Sequence, residues 1–297
     1  MKRVLLIGGS GQLGAALGAV FAHGYQLVAT AHQHGQPGQI LLDLSDSRAT
    51  AASLRRERPD LVLLAGAMCH VDRCEKEPDL CRRINVEGPA AVAAYACEYR
   101  AHVVFFSTDH VFDGAKSPYR ESDAVNPLSV YARSKREAED VIRGTIPAQH
   151  LIVRTGWVYG PDPQRRNFIL RLIDRLRRHE TVDVPSDQWG CPTYTDDLAS
   201  AARFLVERGE TGTFHATGPE LIDRASLARR VCERFDLDAG HVRPIQTSAL
   251  NQAARRSLRV ELDCGKLRKS GAPPFRGIAA GLDGLAAWSA GLCEETR

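Results

Sequence analysis

Hydrophobic residues along this chain come in short uninterrupted runs separated by longer stretches of helical composition. Residues 4–7, 25–30, 40–44, 60–64, 103–106 and 151–154 have strand length, and several lack any polar alternation, as expected of strands buried on both faces. Residues 15–23, 48–58 and 89–100, lying between them, have the composition of helices. This alternation predicts an α/β fold: a doubly wound parallel sheet of Rossmann type, with ligands collecting at the carboxyl ends of its strands. Beyond residue 160 the pattern loosens. Helical apolar spacing over 168–178 and 196–208, with short mixed elements such as 225–235, predicts a smaller mixed α/β lobe and a 196–208 helix that returns to the main sheet.

Length and composition bound the reading. With 297 residues and 43% hydrophobic content, the chain can bury a substantial core in one large or two intimate domains. A net charge of +3 gives no reason to expect nucleic acid or an anionic membrane as partner. The arginines at 171, 175, 177 and 178 read as a solvated helix face. Eight cysteines without Cys-x-x-Cys or metal-like spacing read as reduced, mostly structural thiols. Their densest group, Cys69, His70 and Cys74, lacks the register of a ligand set, so no metal is expected there. No apolar run approaches the ~20 residues of a membrane span. The run at 4–7 is cut short by glycines before it can act as a signal peptide, so a soluble, cytoplasmic protein is expected.

That first run empties into Gly8-Gly9-Ser10-Gly11-Gln12-Leu13-Gly14 and then into a helix. A glycine-rich turn alone is a weak signal. Between a first strand and a first helix it is what dinucleotide binding needs, because backbone must approach a pyrophosphate and the helix must offer unpaired N–H groups at its positive end. Gly8, Ser10, Gly11, Gln12 and Leu13 are therefore cofactor candidates. No acidic residue ends the second run, about twenty residues past the glycines, to grip a free ribose 2′-hydroxyl; this tilts the cofactor towards NADPH, with NADH left open. Asp43 and Leu44 close the third run and are candidates for the adenine end. The small residues Ala65, Gly66 and Ala67 would let a nicotinamide ribose lie close. The chain then divides into a dinucleotide-binding domain, residues 1–160 with 194–216 returning to it, and a substrate-binding lobe, 161–193 and 217–297, with a cleft between.

The candidate chemistry lies between 103 and 135. The apolar run at 103–106 leads into Ser107-Thr108-Asp109, and a polar loop then reaches Tyr131-Ala132-Arg133-Ser134-Lys135. On a helix, Tyr131 and Lys135 share one face. An ammonium about 4 Å from a phenolate, at an effective dielectric near 20, is worth roughly 4 kcal/mol, so Tyr131 is expected to titrate near neutrality as a proton donor. Thr108 is placed to hydrogen-bond the oxygen that receives the proton. Such a pair occurs by chance on many amphipathic helices; the glycine turn and the strand-end residues give it meaning.

With these residues in hand, the chain resembles the extended short-chain dehydrogenase/reductase family and, within it, the dTDP-4-dehydrorhamnose reductase branch. The carriers are GGSGQLG at 8–14, STDHVFDG at 107–114, YARSK at 131–135, RTGWVYG at 154–160, Asn167-Phe168 and DQWGCPT at 187–193. The resemblance implies catalytic roles for Thr108, Tyr131 and Lys135. It also implies a ribose contact for Lys135, a sugar pocket at Trp157, and Thr108, Asp109, Asn167, Gln188 and Arg256 as further substrate residues. The implied reaction is NADPH-dependent reduction of the 4-keto group of a nucleotide-linked 6-deoxyhexose, by a protein for which a homodimer is left open. Ala15 and Ala16 stand where some members carry a magnesium-binding glutamate, so no such metal is expected. Arg256-Ser257 departs from an expected Arg-Pro, and Ala65 from an expected Asn. A second resemblance is carried by GTFHATG at 212–218, HVRPI at 241–245 and LDCGKL at 262–267. It points to the regulatory β subunit of methionine adenosyltransferase, which would make the chain a non-catalytic NADP-binding partner; Thr108 and Trp157 favour the reductase.

Overall fold

The computed structural model describes residues 1–33 and 35–295; His34, in the loop expected over 32–38, lies outside them, and so does the side chain of Cys293. The first half runs β1 (Arg3–Ile7), α1 (Gln12–Phe21), β2 (Gln26–Ala31), β3 (Ile40–Leu41), α2 (Ser47–Glu57), β4 (Leu61–Leu64), α3 (Val71–Lys76), α4 (Pro78–Arg82), a π-helical turn at Arg83–Glu87, α5 (Gly88–Tyr99), β5 (His102–Thr108), α6 (Val130–Thr145) and β6 (His150–Thr155). The second half continues through β7 (Val158–Tyr159), α7 (Phe168–Arg177), β8 (Val182–Pro185), β9 (Trp189–Gly190), β10 (Thr193–Tyr194), α8 (Thr195–Glu207), β11 (Gly212–His215), β12 (Ile222–Asp223), α9 (Arg224–Phe235), β13 (Val242–Ile245), α10 (Gly265–Lys269) and α11 (Ile278–Glu295).

Seven strands form one parallel sheet in the order β11-β6-β5-β4-β1-β2-β3, so the order reverses between β1 and β4. Both faces are covered, which is why the strands read as unbroken apolar runs. On one face Val4, Leu6, Leu61 and Leu63 pack with Leu17 and Phe21 of α1 and Leu198 and Leu205 of α8. On the other, Leu5, Ile7, Val62 and Leu64 pack with Leu54 of α2, Val92 of α5 and Ile142 of α6. Alternate residues of β1 and β4 thus feed two cores, each fully buried Leu or Val contributing about 1.5–3 kcal/mol. A third core joins α7, α9 and α11 to the short strands β8 and β13.

Four differences from the expected elements have local causes. Helix α1 begins at Gln12 and not at 15, with Gly11 as its N-cap. Strand β3 ends at Leu41 because Asp43 turns the chain: its Oδ1 accepts from the Ser45 N–H at 2.8 Å. The polar stretch at 71–87 folds into two short helices and a π turn, the break falling at Pro78, where a proline opens a helix readily. Helix α11 was not anticipated; it closes the third core with Ile278, Leu282 and Leu285.

Candidate active site

The glycine turn is built for a close ligand. Gly8 has φ +91°, and a Cβ on it would stand 2.6 Å from the Gly66 nitrogen, so β1 and β4 can be this close only without a side chain there. A Cβ on Gly14 would collide with the Gly8 carbonyl. The turn is folded on itself by Gly11 N–H to Gly8 O (3.0 Å) and held to β2 by Gly9 N–H to Thr30 O (2.7 Å). No side chain caps α1, so its first-turn N–H groups at Gln12 and Leu13 face outward beside Ser10, a cradle that fits a pyrophosphate. Ala65 and Gly66 donate to the Ile7 carbonyl (3.0 and 2.8 Å), and Leu44 packs on Gly66; this brings the floor expected at Ala65–Ala67 beside the turn. Asp43 lies at the outer end, 3.6 Å from His32.

The catalytic candidates converge at the carboxyl end of β5. Thr108 is its last residue, and its hydroxyl donates to Asp109 Oδ1 at 3.1 Å and accepts from the His110 N–H at 3.2 Å. Helix α6 starts at Val130, capped by Ser129, and buries both Tyr131 and Lys135. The His110 ring meets Tyr131 edge-on, centroids 6.0 Å apart.

The expected acidic phenol is not what this arrangement produces. Burial, and then the Cys69 thiol, push Tyr131 well above the usual tyrosine value, with a hydrogen bond from Thr108 pulling the other way. Lys135 is not among the groups that dominate it. The Lys135 ammonium donates to the Phe106 carbonyl at 2.8 Å and lies 3.9 Å from the centroid of the Phe105 ring, and burial lowers its pKa to about 8. Sharing a helix face put the two side chains on one side, and the free carbonyl of β5 then took the ammonium. Tyr131 is therefore protonated at neutral pH, as a proton donor must be, but without the enhanced acidity expected of it.

Several residues around this centre have contacts that the sequence does not reveal. Asn85, 1% exposed in the π turn, accepts from the Met68 N–H (2.8 Å) and donates to Met68 O (3.1 Å) and Ser134 Oγ (3.1 Å), tying the floor after β4 to α6. Cys69 stands where Tyr131 and Lys135 act on its thiol, while Cys74 and Cys81 are buried. The pair Glu139–Arg154 is fully buried beneath Lys135, with two hydrogen bonds of 2.9 and 2.6 Å and a third to Ser107 (2.5 Å). Only the appearance of a Glu and an Arg at positions otherwise apolar hinted at it.

The substrate candidates separate. Asn167 caps α7 and donates to Gln12 Oε1 at 2.6 Å, and Gln164 donates to Ser10 O at 3.2 Å, so this segment lies against the glycine turn. Arg256 is committed to Asp72, with bonds of 2.8 and 3.1 Å. Its charge and that of Arg224 reach His110, whose pKa is lowered by burial first and by those two arginines after. Asp109 is buried beside Thr108. Trp157, at φ +46°, lies over the Arg224 guanidinium, 4.0 Å from centroid to Cζ, and Gln188 accepts from Arg224 Nε at 3.2 Å. Among the described residues no group of three or more His, Cys, Asp or Glu side chains is placed to hold a metal ion, and no helix is long and apolar enough to cross a membrane.

Comparison with known proteins agrees with this geometry. The chain is 32% identical over 275 residues to a dTDP-4-keto-6-deoxy-D-glucose reductase of Streptomyces niveus, covering 92% of this chain and 93% of that one. It is 29% identical over 287 residues to methionine adenosyltransferase 2 subunit beta of Bos taurus, covering 93% and 85%. Its fold matches the dTDP-4-dehydrorhamnose reductase of Bacillus anthracis solved in complex with NADP, with a TM-score of 0.88 at 27% identity over 96% of this chain and 99% of that one. The family model described as the RmlD substrate binding domain matches residues 1–286, and the chain belongs to that family.

Proposed function

We propose that the protein is an NADPH-dependent reductase of the 4-keto group of a nucleotide-linked 6-deoxyhexose. The observation that carries this reading is the burial of Thr108, Tyr131 and Lys135 together at the end of β5, beside a glycine turn shaped for a pyrophosphate. The relatives' names and the NADP in the Bacillus anthracis structure support both substrate class and cofactor. Gly8, Ser10, Gly11, Gln12 and Leu13 would hold the pyrophosphate, Ala65–Ala67 and Lys135 the nicotinamide ribose; the cofactor, when bound, supplies the hydride. Tyr131 gives its proton to the carbonyl oxygen as negative charge develops there, and the Thr108 hydroxyl, turning its one proton from Asp109 to the substrate, donates a hydrogen bond that orients that oxygen. Lys135 provides a positive charge close to the site of the developing anion.

The bovine relative favours a second reading, an NADP-binding regulatory subunit. One experiment separates them. Oxidation of NADPH is followed on addition of a dTDP-4-keto-6-deoxy sugar, beside a pull-down with a methionine adenosyltransferase catalytic subunit. Turnover with no capture supports the reductase; capture without turnover overturns it.

A further inference from the structure

Arg224 is a cation without a counter-ion. It is the first residue of α9, half-buried, and among the described residues no carboxylate lies within 4.0 Å of its guanidinium; the neighbouring Asp223 spends its Oδ1 on capping the helix at the Ser226 N–H (2.8 Å). The first turn of a helix is also where the macrodipole disfavours positive charge. What holds the residue there is a scaffold: Trp157 and Phe168 flank the guanidinium at 4.0 and 4.9 Å from their ring centroids, its backbone N–H donates to Gln188 O at 3.0 Å, and its Nε to Gln188 Oε1 at 3.2 Å. These contacts use the faces of the group and one N–H. The terminal nitrogens make no hydrogen bond to any described residue.

Gln188 supplies an independent sign. It is 6% exposed, and its Nε2 is buried without a partner. An arginine Nε can only donate, so the amide oxygen must face it and the orphan amine cannot be removed by turning the amide over. A buried polar group left in this state costs free energy that an incoming acceptor would recover. Arg171 and Arg256 act on the same charge, as does Asp109, the neighbour of Thr108; burial lowers the Arg224 pKa to about 10, so it stays charged at neutral pH.

We propose that Arg224 binds the diphosphate of the nucleotide sugar through its free guanidinium edge, with Gln188 as its positioning residue. A planar fork with two parallel donors matches a phosphate, and the aromatic faces fix its plane before the ligand arrives. The proposal rests on the reductase reading for the identity of the ligand, though not for the presence of an anion site.

The test uses the full chain saturated with NADP+, so that the glycine turn is occupied, and thymidine diphosphate and thymidine as probes in isothermal titration. Arg224→Gln is expected to weaken thymidine diphosphate by about 10- to 100-fold while leaving thymidine, NADP+ affinity and the melting temperature unchanged. Arg224→Lys should retain part of the binding, and Gln188→Leu, which frees the guanidinium to swing, should lose an intermediate amount. With a dTDP-4-keto-6-deoxy sugar, KM should rise in Arg224→Gln with kcat nearly preserved. Thymidine diphosphate affinity within about twofold of the parent in both Arg224 variants overturns the proposal. If the parent binds thymidine diphosphate through Arg224 yet reduces no ketosugar nucleotide, the anion site stands and the reductase reading falls; if it reduces them and Arg224→Gln behaves as the parent, the reverse holds.

Discussion

The ammonium of Lys135 is bonded to the carbonyl of Phe106, 2.8 Å away, and not directed at the phenol of Tyr131 one helical turn earlier on α6. Burial lowers its pKa from 10.5 to about 8. The folded value lies below the unfolded one, so between pH 8 and 10.5 the unfolded chain holds this proton more firmly than the folded chain. The residue's contribution therefore opposes folding at neutral pH and is relieved as pH rises through that window. With 13C-labelled lysine, one ε-carbon resonance should titrate near pH 8 and be absent in Lys135→Met. A full set of lysines titrating at ordinary values would remove the argument.

Tyr131 is the group that gives a proton to the reacting oxygen in the proposed reaction. Tyr131→Phe keeps the ring against Met68 and Cys74 and removes only the hydroxyl. Turnover of a ketosugar nucleotide should fall by roughly 10²- to 10⁴-fold. NADP+ affinity, read by titration, should stay close to the parent value. Unchanged turnover would show that the proton comes from elsewhere.

Sequence alone carried the strands of the main sheet, because a parallel sheet covered on both faces forces residues such as Val4–Ile7 and Leu61–Leu64 to be continuously apolar. It also carried the glycine turn and the placement of Thr108, Tyr131 and Lys135, since each depends on chain-local geometry. It failed where the answer depends on what a side chain meets in three dimensions. Shared spacing on a helix does not say that a backbone carbonyl will capture Lys135. Nothing near Asn85 in the chain reveals that its amide reaches Met68 and Ser134, and the separation of 17 and 49 residues explains why. Arg224 was invisible for the same reason: its partners Trp157, Phe168 and Gln188 come from three other segments.

Glu139 and Arg154 form a buried ion pair, 0% and 2% exposed. Burial alone would raise the Glu139 pKa, yet the hydrogen bonds and charge of Arg154, with Ser107 and Arg143, bring the net value below the ordinary one. A depressed folded value gives stability that is present above the unfolded pKa and is lost as pH falls through the folded one, so this contribution disappears only in acid below about 4.3. Removing one partner should cost far more than removing both: Glu139→Gln leaves the guanidinium buried and unpaired, about 3–5 kcal/mol in urea unfolding, whereas Glu139→Leu with Arg154→Leu should recover much of it. Equal losses in the single and double variants would contradict the pairing.

The glycine at 14 tests the cradle without touching the catalytic residues. A Cβ there collides with the Gly8 carbonyl, which is backbone and cannot swing aside, so the turn itself must shift. Gly14→Ala should weaken NADP+ binding by roughly 10- to 100-fold, the equivalent of about 1–3 kcal/mol of overpacking. Gly18→Ala, four residues on, meets only Leu6 Cδ2 at 3.8 Å and should bind NADP+ as the parent does.

Asn85 joins the two halves of the reacting geometry. Its carboxamide satisfies the N–H and the C=O of Met68, just past the Ala65–Ala67 floor proposed for the nicotinamide ribose, and reaches Ser134, whose hydroxyl donates to the Tyr131 carbonyl at 2.7 Å. Asn85→Leu has nearly the same volume and strands both Met68 groups in a buried setting. Each buried unsatisfied group costs about 1–3 kcal/mol, so the variant should unfold at lower urea concentration. Asn85→Asp retains the acceptor for Met68 N–H and loses the donors, so it separates the two bonds. If the residue serves only to hold the fold, kcat of the folded fraction will match the parent in both variants. If it sets the distance between the ribose floor and the Tyr131 helix, kcat falls in the folded fraction of both while KM for NADPH changes less, because a displacement of ~1 Å between reacting groups is worth about 10²-fold in rate.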